Sequence, residues 1–143
     1  MTILKGVPRI LSPQLIHVLA RMGHGDRLVL ADINFPAASV ASTTVDGLIR
    51  ADGLTIPALL DAILSLMPLD SAVESPCALM QVMPEHVEAG ITTPVWAEYQ
   101  AIADKHEASP VKFHEVERFQ FYEEARKCYA VVATGEEALY GNV

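Results

Sequence analysis

Cysteine is nearly absent from this chain of 143 residues: only Cys77 and Cys128 occur, and they do not form a Cys-x-x-Cys. Both lie in apolar stretches, which reads as two buried thiols rather than a disulfide or a metal pair. Basic residues are also scarce. Ten Lys and Arg stand against 18 Asp and Glu, a formal net charge of −8 with no basic stripe. That excludes a nucleic-acid surface and makes anionic membranes poor partners. No apolar run approaches the roughly 20 residues needed to cross a bilayer. The opening Met1-Thr2-Ile3-Leu4-Lys5-Gly6 lacks the long apolar segment and cleavage site of a secretory signal. A reducing cytoplasm fits these absences. Linkers, repeats and low-complexity tracts are missing too, so a single domain over residues 1–143 is the economical reading.

Familiar site motifs are lacking as well. His17, His86, His106 and His114 show no His-Glu-x-x-His or similar metal spacing, and no Walker loop is present. The stretch Gly23-His24-Gly25-Asp26-Arg27-Leu28 begins like a dinucleotide fingerprint but lacks the third glycine and follows a helical pattern, not a strand. No metal site and no cofactor are expected.

What the chain has in abundance is apolar side chains. They make up 51% of the residues against 20% charged, more than a small soluble domain needs for its own surface. A tightly packed core accounts for part of this, and a large subunit interface for the rest, since obligate interfaces are more apolar than ordinary surface.

Periodicity places the elements. Ser12-Pro13 is a helix start, and Leu15, Val18, Leu19 and Met22 put one apolar face on a helix over 13–22, with Gly23 as its left-handed stop. Leu28 to Ala31 is an unbroken apolar run that suits a strand covered on both faces. Residues 33–46 read as a loop, Gly47 to Arg50 as a short strand and Asp52-Gly53 as a turn. Thr55 caps a second helix with Leu59, Leu60, Ile63, Leu64 and Met67 on its buried face, stopped by Pro68. Cys77 to Met83 reads as a strand, 84–92 as a polar loop, and Thr93-Pro94 as the start of a helix over 94–106. A strand over Val111 to Val116, a helix over Phe119 to Lys127 and a strand over Cys128 to Ala133 complete the set. Strand and helix alternate throughout, which predicts an α/β class with a largely parallel sheet.

Two titratable groups flank the strand at 28–31: His24 before it and Asp32 after it, where open α/β sheets place their ligands. A strand of that length spans roughly 15–20 Å, so the two meet only if loops fold back or a second subunit supplies one of them. Taken singly, each has an alternative role. His24 reads as a helix cap or as an acid/base group, and Asp32 as a turn cap or as a partner for hydroxyls. Arg118 reads as a surface residue ahead of a helix, Tyr140-Gly141-Asn142 as a frayed terminus, Glu123-Glu124 and Glu136-Glu137 as solvated charges, and Trp96 as core or interface.

A resemblance favours the functional member of several of these pairs. Gly23-His24-Gly25-Asp26, Val29-Leu30-Ala31-Asp32 and Asn34-Phe35-Pro36-Ala37 resemble the fucose mutarotase branch of the sugar mutarotase and ribose pyranase family. So do Ile49-Arg50-Ala51-Asp52-Gly53-Leu54, Glu117-Arg118-Phe119, Phe121-Tyr122-Glu123, Ala133-Thr134-Gly135-Glu136 and Tyr140-Gly141-Asn142. The resemblance implies a single three-layer domain, with a largely parallel or mixed central sheet flanked by helices. It implies a cofactor-free isomerase that interconverts the anomers of a free reducing sugar, foremost L-fucose. In it His24 is the acid/base residue, and Asp32, Arg118, Tyr140, Gly141 and Asn142 bind the sugar. It further implies a ring-shaped homo-oligomer, decameric in bacterial relatives, with sites where subunits meet. Among these side chains imidazole is the one whose ordinary titration lies near neutrality. Arg118 cannot release its proton, and free carboxylates and phenols titrate far to either side. Family members usually carry a further apolar strand after the matching Tyr-Gly-Asn; this sequence reaches Asn142-Val143, and that strand is not expected in it. A ribose pyranase and a non-catalytic sugar-binding protein are the alternative readings.

Overall fold

Prolines set most of the helix starts. In the computed structural model, which describes residues 2–143, Ser12 accepts a hydrogen bond from Leu15 N–H at 3.1 Å and α1 runs Pro13–Arg21. A proline in the first turn also opens α3 (Ile56–Leu64), α4 (Pro84–Glu88) and α5 (Pro94–His106). The remaining elements are β1 (Leu28–Ala31), α2 (Ala37–Ala41), β2 (Leu48–Ala51), β3 (Cys77–Met80), β4 (Phe113–Val116), α6 (Arg118–Ala125) and β5 (Ala130–Thr134).

Among the described residues all strand pairing is parallel. β5 lies between β1 and β2, with Leu28 opposite Ala130 and Leu48 opposite Val131. β3 and β4 form a second pair, with Cys77 opposite Phe113. Side chains alternate across a strand, and the three-stranded sheet sends them into two cores. Leu30, Ile49, Ala130 and Val132 join the face covered by α1, α3 and α5, among Leu15, Val18, Ile56, Leu59 and Tyr99. Val29, Ala31 and Val131 face the other way, against Val40 and Ala41 of α2 and Phe121 and Ala125 of α6. Helices therefore cover both faces: the alternation predicts the α/β class with parallel strands, and the resemblance implies the three layers. Removing a side chain such as Ile49 or Leu59, each wholly buried, costs about 2–5 kcal/mol when truncated to Ala.

The end of the chain is part of this framework. Leu30 exchanges both backbone hydrogen bonds with Val143, at 2.8 and 3.1 Å, along the outer edge of β1. This fixes Tyr140, Gly141 and Asn142 beside the carboxyl end of β1. Among the described residues, no helix is long and apolar enough to cross a membrane.

Several local expectations need correction. The stretches 33–46 and 84–92 each contain a short helix: α2 has Pro36 as its N-cap, and α4 has Pro84 in its first turn, where its fixed φ suits a helix. α3 ends at Leu64, before Pro68 can act, so Met67 lies beyond it. β3 ends at Met80, β4 begins at Phe113 and β5 runs Ala130–Thr134, while α6 starts one residue early with Arg118 inside it. Gly23 does not adopt the left-handed conformation; Gly25 does, at φ 84°. Asp26 is the reason: its Oδ2 accepts Gly23 N–H at 2.8 Å and its own N–H reaches Gly23 O at 3.0 Å. Thr55 and Thr93 make no side-chain cap bond. Glu136, read as a solvated charge, is buried, and its Oε2 accepts Ile56 N–H at 3.1 Å, so it caps α3 from across the fold.

Candidate active site

The site grows from the carboxyl end of β1. Asp32 is buried there, with its Oδ1 accepting Asn34 N–H at 3.0 Å. Its Oδ2 accepts the Asn142 side-chain amide at 2.9 Å, while Asp32 N–H donates to Asn142 Oδ1 at 2.8 Å. Burial pushes the Asp32 carboxyl above its ordinary value of 3.8, and the N–H groups of Asn34, Gly141 and Phe35 and the Asn142 amide pull the other way. The turn-cap role and the buried-carboxylate role coexist in this one residue.

Tyr140 stands two residues before Asn142 and is the single non-glycine residue at positive φ among the described residues, at 55°. Side chains cost energy in that region, so the loop has to be held from several sides. Trp96 Nε1–H donates to Tyr140 O at 2.8 Å, and the buried Tyr99 hydroxyl donates to Gly141 O at 2.7 Å. Burial raises the Tyr99 phenol, with Glu136, Asp32 and Glu98 adding to it, so it stays protonated as a donor. At its outer end, the Tyr140 hydroxyl accepts Met83 N–H at 3.1 Å and lies 2.5 Å from His86 Nδ1.

Arg118 approaches the same place from α6. Its Nε–H donates to the Tyr122 hydroxyl at 3.1 Å and its Nη1 to Met83 Sδ at 3.4 Å. The Tyr122 hydrogen bond, then the nearby Tyr140 and Glu85, hold the guanidinium above its ordinary value. Phe35, on the loop after Asp32, stands edge-on to Tyr122 with centroids 5.4 Å apart. The contacts run in a chain: Phe35, on the loop after Asp32, touches Tyr122, Tyr122 binds Arg118, Arg118 and Tyr140 both hold Met83, and Asn142, two residues after Tyr140, bonds to Asp32. A carboxylate, a guanidinium, a phenol and an amide thus surround one small region, a set suited to the several hydroxyls of a sugar.

The structure brings Asp32, Arg118, Tyr140, Gly141 and Asn142 to one end of the sheet. It does not bring His24 there. His24 is exposed at the opposite end of β1, with Nδ1 2.8 Å from Asp70 Oδ2. The pair is within ion-pair distance but not aligned for a directed hydrogen bond, so that buried oxygen has no donor aimed at it. A cleft of about 670 Å³ beside His24 runs between Leu28, Ala78 and Val143. A second cleft, of about 610 Å³, borders Asp32 on its other side, with Arg50, Asp52 and Thr134, and does not reach Arg118 or Tyr140.

His86, Met83, Trp96, Tyr99 and Tyr122 contact the candidate residues without standing out as site residues in the sequence. From the sequence His86 figures only in the search for metal spacing, and Trp96 reads as core or interface ahead of a stacking platform for a sugar. No spacing links His86 to Tyr140, which lies 54 positions away. The one available signal was Phe121-Tyr122-Glu123 inside the resemblance. Cys77 and Cys128 are both buried, and burial pushes the Cys77 thiol up to about 12, with Glu107 adding to it.

This chain matches the RbsD / FucU transport protein family over residues 5–143. It is 56% identical to the fucose mutarotase of Homo sapiens over 144 aligned positions, covering 100% of this chain and 92% of that one. Its fold superposes on the fucose mutarotase of Streptococcus pneumoniae in complex with L-fucose with a TM-score of 0.86 at 45% identity, over 97% of this chain and 94% of the other. RbsD of Bacillus subtilis, complexed with D-ribose, shares the fold at a TM-score of 0.62 but only 19% identity, over 92% and 88% of the two chains.

Proposed function

The chain belongs to the RbsD / FucU family, and from that premise we propose that it is a mutarotase interconverting the α and β anomers of L-fucose. The observation that carries this reading is the Asp32–Asn142 clasp with Arg118 and Tyr140 around it, in a chain 45% identical to a fucose mutarotase held with L-fucose. Asp32, Arg118, Tyr140 and Asn142 hold the sugar hydroxyls, and Gly141 lets the backbone pass close to Asp32. Ring opening then needs a proton removed from the anomeric hydroxyl and one delivered to the ring oxygen. Acid/base groups in such positions supply about 10²–10⁴-fold in rate, enough for a reaction that water already performs slowly.

His24 is the acid/base residue of this reading, and it reaches the sugar from a neighbouring copy. Its own Asp32 lies at the other end of β1. The pattern of exposed apolar side chains supports a homo-oligomer built this way. Ile33, Val87, Phe119 and Leu139 are each 52–63% exposed, and each adjoins in sequence a residue of the site: Asp32, His86, Arg118 and Tyr140. Large apolar groups concentrated around a polar site mark a surface that another protein covers, and a second copy doing so shields the sugar from water. A ring assembly of cytoplasmic subunits fits the same resemblance.

Saturation-exchange proton NMR on L-fucose and on D-ribose tests the function. Anomer exchange of fucose accelerated well above the buffer rate is the expected result. Acceleration confined to ribose pyranose–furanose exchange would make the protein a pyranase. Binding with no acceleration would make it a sugar-binding protein.

A further inference from the structure

Ring opening needs a proton acceptor as well as a donor, and Tyr140 stands against a side chain that no motif marks, His86. We propose that Tyr140 and His86 form a proton relay, in which the Tyr140 oxygen takes the anomeric proton while passing its own to His86 Nδ1. The inference rests on the mutarotase reading and adds two proton-handling side chains to it.

Four observations converge on the pair. The Tyr140 oxygen and His86 Nδ1 are 2.5 Å apart, a short contact even for a charge-assisted bond. Met83 N–H, at 3.1 Å, already occupies one acceptor direction of that oxygen. One mobile proton between oxygen and nitrogen then has two resting places, which is what a relay requires. The imidazole is aimed by its own helix, because His86 N–H donates to Met83 O at 2.9 Å in the first turn of α4. The phenol is aimed by the strained loop that Trp96 and Tyr99 hold. Strain of this kind persists where the surrounding structure overdetermines it, and it gathers at functional sites. The charged groups facing the pair are Arg118, which shares Met83 with Tyr140, and Glu85, next to His86.

The step balances without solvent. The anomeric O–H gives its proton to the Tyr140 oxygen as the Tyr140 O–H gives its proton to His86 Nδ1. The electron pair left on the anomeric oxygen forms the aldehyde C=O. The bond between C1 and the ring oxygen breaks, and its electron pair stays on the ring oxygen, which takes a proton from the imidazolium of a neighbouring copy's His24. The aldehyde rotates, and closure on the other face runs each transfer backwards. Both imidazoles return to their starting state. A phenol alone is a reluctant base near neutrality because its ordinary pKa is about 10. Coupled to an imidazole, it removes a proton without ever holding a full negative charge.

The test uses the full-length protein, L-fucose, exchange NMR and calorimetric binding. His86→Asn places an amide oxygen near the position of Nδ1, so it accepts the Tyr140 hydrogen bond but cannot carry the proton onward. Its exchange rate is expected to fall by about two orders of magnitude or more, with fucose affinity within about threefold. Tyr140→Phe is expected to fall at least as far, and the double variant no further than Tyr140→Phe alone, because the two side chains act as one unit. His86→Gln serves as a second variant should the first fail to fold. An active wild type whose His86→Asn or His86→Gln form keeps its rate within about threefold, too little for lost proton transfer, overturns the relay and leaves His86 a positioning residue. So does a double variant whose losses multiply. A wild type that leaves fucose exchange at the buffer rate overturns the mutarotase reading and the relay with it.

Discussion

Asp32 and Asn142 hold each other by two hydrogen bonds across 110 positions of sequence, one from the Asp32 backbone at 2.8 Å and one to its carboxylate at 2.9 Å. Asn142 thereby leaves the Asp32 backbone satisfied and one carboxylate oxygen fixed. The carboxylate is thus preorganised before any sugar arrives. Loss of the carboxylate charge, or of the Arg118 guanidinium, should cost binding more than fold. Asp32→Asn and Arg118→Ala are each expected to weaken L-fucose binding by about tenfold to a hundredfold, the effect of a charged hydrogen bond of about 1.5–3 kcal/mol. Isothermal titration measures it, and unchanged titration curves would make both residues structural.

The same burial gives binding an acid limit. The Asp32 carboxyl is held above 3.8, so on acidification it takes up a proton earlier than an ordinary carboxylate. Fucose affinity should therefore fall in a window that opens above 3.8. Stability has the opposite sign. A raised carboxyl means that the folded state binds the proton better than the unfolded chain. Its stabilisation is present below 3.8 and is lost as pH rises through the folded value. Thermal melts of the wild type against Asp32→Asn, from neutrality downward, should show the wild type gaining on the variant as the solution becomes more acid.

His24 provides the test of a shared site. His24→Gln is expected to lower fucose exchange by about two orders of magnitude while sugar binding persists. Because its own Asp32 is at the other end of β1, the defect should be complementable. Co-expressed with Asp32→Asn chains, His24→Gln chains should form mixed rings in which about a quarter of the sites carry both native groups, and exchange should partly return. Light scattering that shows a monomer at micromolar concentration would remove the basis for this expectation.

Gly141 is where the backbone must pass with no side chain. A Cβ there would stand 2.9 Å from Ala138 O and 3.1 Å from Glu136 Cγ. Gly141→Ala should destabilise by about 1–3 kcal/mol, as overpacking does. It should also loosen Tyr140 and lower exchange. Tyr99→Phe, which strips the donor from the buried Gly141 carbonyl, should cost a similar amount, about 1–3 kcal/mol, read from denaturant melts.

Short-range physics made part of this protein legible from its residues in order. Leu28 to Ala31 was a strand because an unbroken apolar run needs cover on both faces, and Pro13 and Pro94 began helices because proline presets the first turn. Continuous motifs single out Asp32, Arg118 and Tyr140-Gly141-Asn142 as candidates. The tertiary structure decided what depends on separation. It buried Glu136 beneath α3 as a cap, because a helix N-terminus far away in sequence had an N–H to satisfy. It put His86 against Tyr140, since α4 meets the carboxy-terminal loop there and no periodicity relates them. It kept His24 and Asp32 at opposite ends of one strand, as strand geometry requires. Proximity in the chain wrote the elements and the motifs; which distant groups share a proton or a hydrogen bond was decided only when the sheet brought their loops together.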